Sequence, residues 1–514
     1  MTELLSDWSR VTFVDRVFIF GFIPATLTLF CLAILSRRPS LPALVLIVAS
    51  LVFYASWGLK YFAVLTVSLT ANFLLRHWML AFEQGNTARK RLLIIIVAAN
   101  ITALFGFKYL DLFANLAASL SGFVYEPLLI AIPLGISFYT FQEITLAVDA
   151  YRGVPKVSLA KYVLFIVFFP HLIAGPLVHH REMVPQFSRF RVTQRDLAVG
   201  LALFTIGLTK KLCIADPLGV VVKIVFDAPA DHPPGMLAAW TGTLAYTFQI
   251  YFDFSGYSDM ALGLGRLFGI RLPVNFFSPY KARDISDFWG RWHMTLSRFL
   301  REYVYIPLGG NRKGPSRRHV NLMVVMLVGG LWHGDNWTFL LWGGLHGVFL
   351  VTHHLWHEKS GIVLGYRSAQ LLTFLCVVVA WVPFRAADIP ATVAVWKGMI
   401  GLNGVGGISS VEALASQFDQ VLASGAITAT PDLLLVATLV SVCVLYLWCI
   451  LTPNAIELLQ LRHPWPGRVE HSQARSGRFF AAPTLAWGWV FGMMFGLSLL
   501  LSRQFPQEFL YWKF

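Results

Sequence analysis

Apolar stretches close to twenty residues long recur from one end of this chain to the other, at 17–35, 41–58, 61–83, 92–109, 160–178, 197–215, 235–252, 320–334, 337–352, 366–384, 432–452 and 485–502. A helix rises about 1.5 Å per residue, so roughly 20 such residues cross a hydrocarbon layer about 30 Å thick. Inside that layer each backbone N–H and C=O must be satisfied by the segment itself, which leaves packed helices as the solution for runs of this kind. The pattern predicts an all-α polytopic integral membrane protein with about ten to twelve spans, some of them re-entrant. Only 13% of the residues are charged and 56% are hydrophobic, where an average soluble domain is about 25% charged. A soluble globular enzyme is excluded. The first run follows acidic as well as basic residues (Glu3, Asp7, Arg10, Asp15, Arg16) and lacks a small-residue cleavage site, so it reads as a retained span. One integral domain over 1–514 is the simplest organisation.

The formal charge of +14 comes from 41 basic and 27 acidic side chains. In a membrane chain such an excess sets orientation and meets anionic lipid, so no nucleic-acid partner is expected and the bilayer is the partner instead. The clusters Arg37-Arg38, Arg89 to Arg91, Lys210-Lys211, Arg312 to Arg318 and Arg462 to Arg478 are read as cytoplasmic loops. Residues 402–430 are polar and small, which predicts an extramembrane loop with one short helix over 411–422. Pro464, Pro466 and Gly467 mark a second loop. The five cysteines (Cys31, Cys213, Cys376, Cys443, Cys449) are scattered through apolar segments and read as small hydrophobes.

A histidine stands where it is costly. A helix starting near Val320 places His333 roughly 20 Å beyond the basic loop at Arg312 to Arg318, within the hydrocarbon layer. Ionisable groups at that depth face a bundle interior or a water-filled cavity, and an imidazole there can move a proton. Between Asp284 and Ile306, Phe288, Trp292, Leu296, Phe299 and Tyr303 recur at spacings of three and four, predicting one amphipathic helix at the interface. It carries a second histidine, His293. Asp253 and Asp259 lie beside a membrane segment, either as polar site residues or bonded to Tyr251, Ser255 or Tyr257. His353, His354, His357 and Glu358 offer an i, i+4 histidine pair without further ligands, so an interfacial polar cluster is expected and no metal site. Gly263, Gly265 and Gly269 lack a dinucleotide spacing and read as close helix packing. On hydropathy alone a proton-coupled transporter with broken helices is the rival to an enzyme.

Several strings decide between these classes. Pro133 to Gln142 (PLGISFYTFQ), Phe169 to Pro176 (FPHLIAGP), Tyr251 to Asp259 (YFDFSGYSD), Asn275 to Tyr280 (NFFSPY), Phe288-Trp289 to Trp292-His293, Tyr305 to Arg312 (YIPLGGNR) and Gly330 to Gly334 (GLWHG) followed by His346 occur in this order. Together they resemble the membrane-bound O-acyltransferase (MBOAT) family over about residues 45–400, and most of all its bacterial branch that O-acetylates alginate and related exopolysaccharides. The sequence departs from the family pattern at His171, Gly290 and Asp335. The resemblance implies a ring of tilted membrane helices around a thin, funnel-shaped core in a bacterial inner (cytoplasmic) membrane. It implies that His333 is the principal catalytic histidine and His293 the second, with Trp332, Asn311, Arg312, Trp289 and Asp253 as candidate substrate-binding residues.

The chemistry implied is transfer of acetyl from a cytoplasmic thioester to a hydroxyl of an extracytoplasmic polysaccharide such as alginate, directly or through a periplasmic acetyltransferase partner. His333 is expected to act as general base. His293 is expected to orient the donor or to hydrogen-bond the developing oxyanion, which requires protonation or the appropriate tautomer. Acetyl-CoA is the expected donor, a substrate rather than a bound cofactor, with Arg312, Lys313, Arg317 and Arg318 offering cations to its phosphates. The alternative within the enzyme class is D-alanyl or other acyl transfer from a carrier protein.

Overall fold

The computed structural model describes residues 10–128, 131–154, 156–228, 232–405, 431–461, 484–502, 504, 509 and 510. Among them every regular element is helical. Most of the loop expected at 402–430, the turn-rich segment at Pro464 to Gly467 and the basic stretch Arg462 to Arg478 lie outside the described residues. The chain divides into two compact units: Met1–Phe204 with Met260–Pro273, and Thr205–Asp259 with Val274–Phe514.

The first unit holds α1 (Phe18–Leu35), α2 (Leu41–Ala55), α3 (Leu59–Met79), α4 (Thr87–Lys108), α5 (Leu110–Ser121), α6 (Ile136–Tyr151) and α7 (Leu159–Val167). Asn86 starts α4 by accepting the Ala88 backbone N–H at 2.8 Å, satisfying one of the orphan donors of a helix N-terminus. Asn72 and Asn100 are buried and exchange amide hydrogen bonds of 2.7 and 3.3 Å between α3 and α4, the polar fastening used where lipid supplies no hydrophobic drive between helices. The run expected to span at 160–178 is broken: α7 stops at Val167, and a single turn over Phe169–Leu172 follows. Pro170 cannot donate into a helix, and Ser50 Oγ of α2 accepts the Phe169 N–H at 3.1 Å, so the break is satisfied internally.

Two long helices, α8 (Gln194–Phe226) and α9 (Met236–Leu267), contain the division between the units. The remainder of the second unit comprises α10 (Ile285–Trp289), α11 (Met294–Leu300), α12 (Pro315–His333), α13 (Trp337–Lys359), α14 (Tyr366–Arg385), α15 (Ile389–Met399), α16 (Pro431–Leu451) and α17 (Leu485–Leu501). Helices α12 and α13 pack as a hairpin through glycines. A Cβ on Gly330 would fall 2.3 Å from the Phe339 carbonyl oxygen, and one on Gly343 would fall 2.4 Å from that of Met326. Asn336 opens α13 by accepting the Thr338 N–H at 3.2 Å.

Among the described residues four helices, α1, α4, α8 and α14, are long and apolar enough to cross a membrane, and four shorter apolar ones are Leu41–Ala55, Leu110–Ser121, Val436–Leu451 and Leu485–Leu501. That is fewer than the ten to twelve spans expected. The difference arises because α9, α12 and α13 carry polar side chains such as Asp253, Asp259, His333 and His346 on buried faces, which lowers their mean hydropathy without shortening them. Lys210 and Lys211 also depart from expectation. Rather than marking a loop, they sit in a wide π-helical turn within α8, and Lys211 is buried between Asp216 at 2.5 Å and Asp253 at 2.7 Å. Lys210 pairs with Asp259 at 2.6 Å. The partners of Asp253 and Asp259 are therefore lysines, not the neighbouring hydroxyls.

Candidate active site

The segment expected to form one helix from Asp284 to Ile306 is bent in its middle. Helix α10 ends at Trp289, and α11 begins only at Met294. At the bend His293 adopts φ 43° and ψ 50°, a left-handed conformation that costs an L-residue about 1–2 kcal/mol. Asn275 and its neighbours hold it there. The Asn275 carbonyl accepts the Met294 N–H at 2.9 Å, and the Phe277 N–H donates to the Arg291 carbonyl at 2.9 Å. A straight helix would carry His293 around its own cylinder; the bend buries its ring completely.

His333 arrives from a different direction, as the last residue of α12. Its ring centroid lies 6.5 Å from that of His293, with the rings inclined at 59°. Trp332 lies 5.7 Å from His293 and 4.8 Å from His333, in edge-on contact with both. The remaining walls are Phe254 of α9, 4.8 Å from His293, and Trp342 of α13 and Phe384 of α14, each 5.0 Å from His333. The two imidazoles are thus neighbours within one buried aromatic box. Their aromatic surroundings exclude bulk water, which strengthens any hydrogen bond made inside.

Trp289 stands one ring further out, 5.7 Å from Trp342 and 5.1 Å from His346. His346, also fully buried, has no hydrogen-bond partner on either ring nitrogen among the described residues. The other expected binding residues are not brought to the histidines. Asn311 and Arg312 lie in an exposed turn before α12, where Tyr305 Oη donates to Asn311 Oδ1. The 19 residues of α12 separate that turn from His333 by nearly 30 Å. Asp253 is committed to Lys211 and also accepts the Leu510 N–H at 3.2 Å. Arg318, proposed as a donor-binding cation, is paired with Glu358. No group of three or more potential metal ligands occurs among the described residues. His353 sits 3.7 Å from Asp284 rather than in a ligand set.

Asn275, Thr295, Trp342 and Phe384 complete the site without having been assigned a place in it. Asn275 opens one of the quoted strings, but nothing in local periodicity links it to a histidine in the next segment. Phe384 approaches from α14, beyond the reach of any spacing argument.

The sequence model of the membrane-bound O-acyltransferase family matches residues 44–385, which include every residue of the histidine pair and its walls. The chain belongs to this family. A peptidoglycan O-acetyltransferase of Helicobacter pylori is 42% identical over 426 residues, covering 76% of this chain and 80% of that protein. A probable alginate O-acetylase of Pseudomonas putida is 38% identical over 399 residues, covering 76% and 81%. A teichoic acid D-alanyltransferase of Streptococcus thermophilus is 32% identical over 242 residues, covering 44% and 58%. The protein is thus an acyltransferase of the MBOAT family and an all-α membrane protein with several apolar helices. Family membership sets aside the transporter reading.

Proposed function

We propose that this MBOAT protein O-acetylates a glycan on the far side of the bacterial inner membrane, taking acetyl from cytoplasmic acetyl-CoA. The acetyl group passes to sugar hydroxyls directly or through a periplasmic acetyltransferase. The observation that carries this reading is the convergence of His293 and His333 in one buried aromatic box. The names of the relatives, peptidoglycan O-acetyltransferase and alginate O-acetylase, support a glycan hydroxyl as acceptor.

A hydroxyl is a poor nucleophile at neutral pH, and a neutral imidazole that removes its proton during attack is worth about 10² to 10⁴ in rate. The oxygen bonds to the thioester carbonyl carbon, the carbon–sulfur bond breaks, and the imidazolium returns its proton to the departing thiolate. The second imidazole of the pair serves the developing oxyanion. The aromatic walls keep water from taking the place of the sugar hydroxyl.

The test is transfer of labelled acetyl from acetyl-CoA to glycan in oriented membranes. Wild type, His293→Ala and His333→Ala are compared at equal abundance, with transfer expected in wild type alone. Transfer that persists in both variants would remove the pair from the chemistry. A wild type active only with an acyl-carrier protein would shift the donor to the D-alanyl type, as the teichoic acid D-alanyltransferase match suggests.

A further inference from the structure

One face of α13 carries Trp342, His346, Phe349, His353 and His357, at successive spacings of four, three, four and four residues. It runs from the wall of the histidine pair toward the basic end of the α12–α13 hairpin. A Cβ on Gly347 would lie 3.4 Å from Met323 Cα, and one on Gly343 meets Met326. His346 therefore stands about two turns nearer than His333 to the end where α12 begins. Helix α10 lies along the same face with its direction reversed, placing Asp284 3.7 Å from His353 and the Trp289 ring 5.1 Å from that of His346. Trp342 joins the two levels, 5.0 Å from His333 and 4.9 Å from His346.

Rings enclose His346: Phe288 and Trp289 of α10, Trp342 and Phe349 of α13, and Trp381 of α14. Neither His346 nitrogen has a hydrogen-bond partner among the described residues, and the indole N–H groups of Trp289 and Trp342 beside it have none there either. A phenyl ring would fill this cage at lower cost, because a buried imidazole with a spare N–H and a spare lone pair forgoes the bonds it would make to water. The imidazole thus answers to a group that enters, one that brings a donor and an acceptor together. Resting on the acyl-transfer reading above, we infer that His346 is a binding residue for the thioester donor: with the indole N–H groups of Trp289 and Trp342 it hydrogen-bonds an amide of the pantetheine arm. The first such amide begins three bonds from the thioester sulfur, and it supplies one N–H and one carbonyl. A thioester group alone has no N–H to give, and a sugar hydroxyl arrives from the side of the pair away from the basic turn. Trp289 and Phe349, the half-buried rings of the cage, are the walls that an entering arm turns aside. Coenzyme A and an acyl-carrier protein bear the same arm, so one seat serves both sources.

His346→Phe tests this, because it keeps a ring in the cage and removes both polar atoms. The unfolding temperature in detergent should stay level or rise, kcat should stay within about twofold, and the KM for acetyl-CoA should increase about tenfold. His346→Gln, which returns a donor and an acceptor, should recover part of that loss. Where wild type draws instead on an acetylated carrier protein, the same increase should appear in the KM for that protein. An unchanged donor KM in an active His346→Phe enzyme overturns the inference and leaves the proposed function standing, as does a loss confined to kcat. A lowered unfolding temperature, or failure of both variants to accumulate, would assign the ring to folding and overturn it equally. Wild type that transfers from neither donor would sink the proposed function, and this inference with it.

Discussion

Gly343 and Gly344 are neighbours on α13, and replacing each by alanine should give opposite results. A Cβ on Gly343 would lie 2.4 Å from the Met326 carbonyl oxygen, 3.1 Å from its carbon and 3.3 Å from Gly330 Cα, all of them backbone. Backbone cannot rotate aside, so α12 and α13 must part by about 1 Å to restore ordinary contact at about 3.4 Å. A Cβ on Gly344 meets only Leu327 Cδ2, at 3.9 Å. Both changes remove a helical glycine, which by itself favours the helix by about 0.5–1 kcal/mol. Gly344→Ala should therefore be neutral or mildly stabilising, and Gly343→Ala should lose about 1–3 kcal/mol to overpacking. The larger effect falls on activity. His333 lies two turns beyond Met326 on the displaced helix, and a misplacement of about 1 Å costs on the order of 10²-fold in rate. The assays are labelled-acetyl transfer at matched abundance and thermal unfolding in detergent. Equal transfer and equal unfolding temperatures for the two variants would refute the packing argument.

Two further outcomes follow from features outside the histidine pair. Lys211→Met leaves Asp216 and Asp253 buried without their cation and should lower stability by about 3–5 kcal/mol, read as a fall in the unfolding temperature, whereas Lys211→Arg should retain most of it. The joint variant Arg312→Glu with Arg317→Glu, in the exposed turn and the first turn of α12, should raise the acetyl-CoA concentration needed for half-maximal transfer by removing cations from the donor's phosphates; an unchanged requirement, with orientation intact, would assign both cations to topology alone.

The sequence made the class of this protein plain and left its site half visible. Apolar run length located where most helices begin, and the run at 366–384 became Tyr366–Arg385, but α8 and α9, 33 and 32 residues long, continue beyond the apolar runs that marked them. Helix α12 begins at Pro315 rather than near Val320, so His333 stands nearly 30 Å from the basic turn instead of the roughly 20 Å expected. The bend at His293 was illegible for a different reason. The three- and four-residue spacing of Phe288, Trp292, Leu296 and Phe299 is satisfied by two short helices as well as by one, and the backbone bonds that separate them come from Asn275 and Phe277 in the preceding segment. Lys210-Lys211 misled because a paired lysine inside a membrane helix and a lysine in a cytoplasmic loop look alike until Asp253 and Asp259 are placed beside them. Asn311 and Arg312 belong to a string near the histidine motif in order, but a helix of 19 residues lies between them and the imidazole.

The buried ion pairs of α8 and α9 bear on how this chain enters its membrane. A charged residue at the centre of an inserting helix costs about 2.5–3.5 kcal/mol, and α8 brings Lys210, Lys211 and Asp216. Asp216 answers one lysine from within the same helix, whereas the second cation is met only by carboxylates of α9. Released alone into lipid, α8 would be under-compensated, and α9 would carry Asp253 and Asp259 without their cations. The two helices therefore gain most by leaving the insertion machinery together, as a hairpin whose charges are matched before either meets hydrocarbon. Translation of α9 would then be the event that commits α8 to the bilayer.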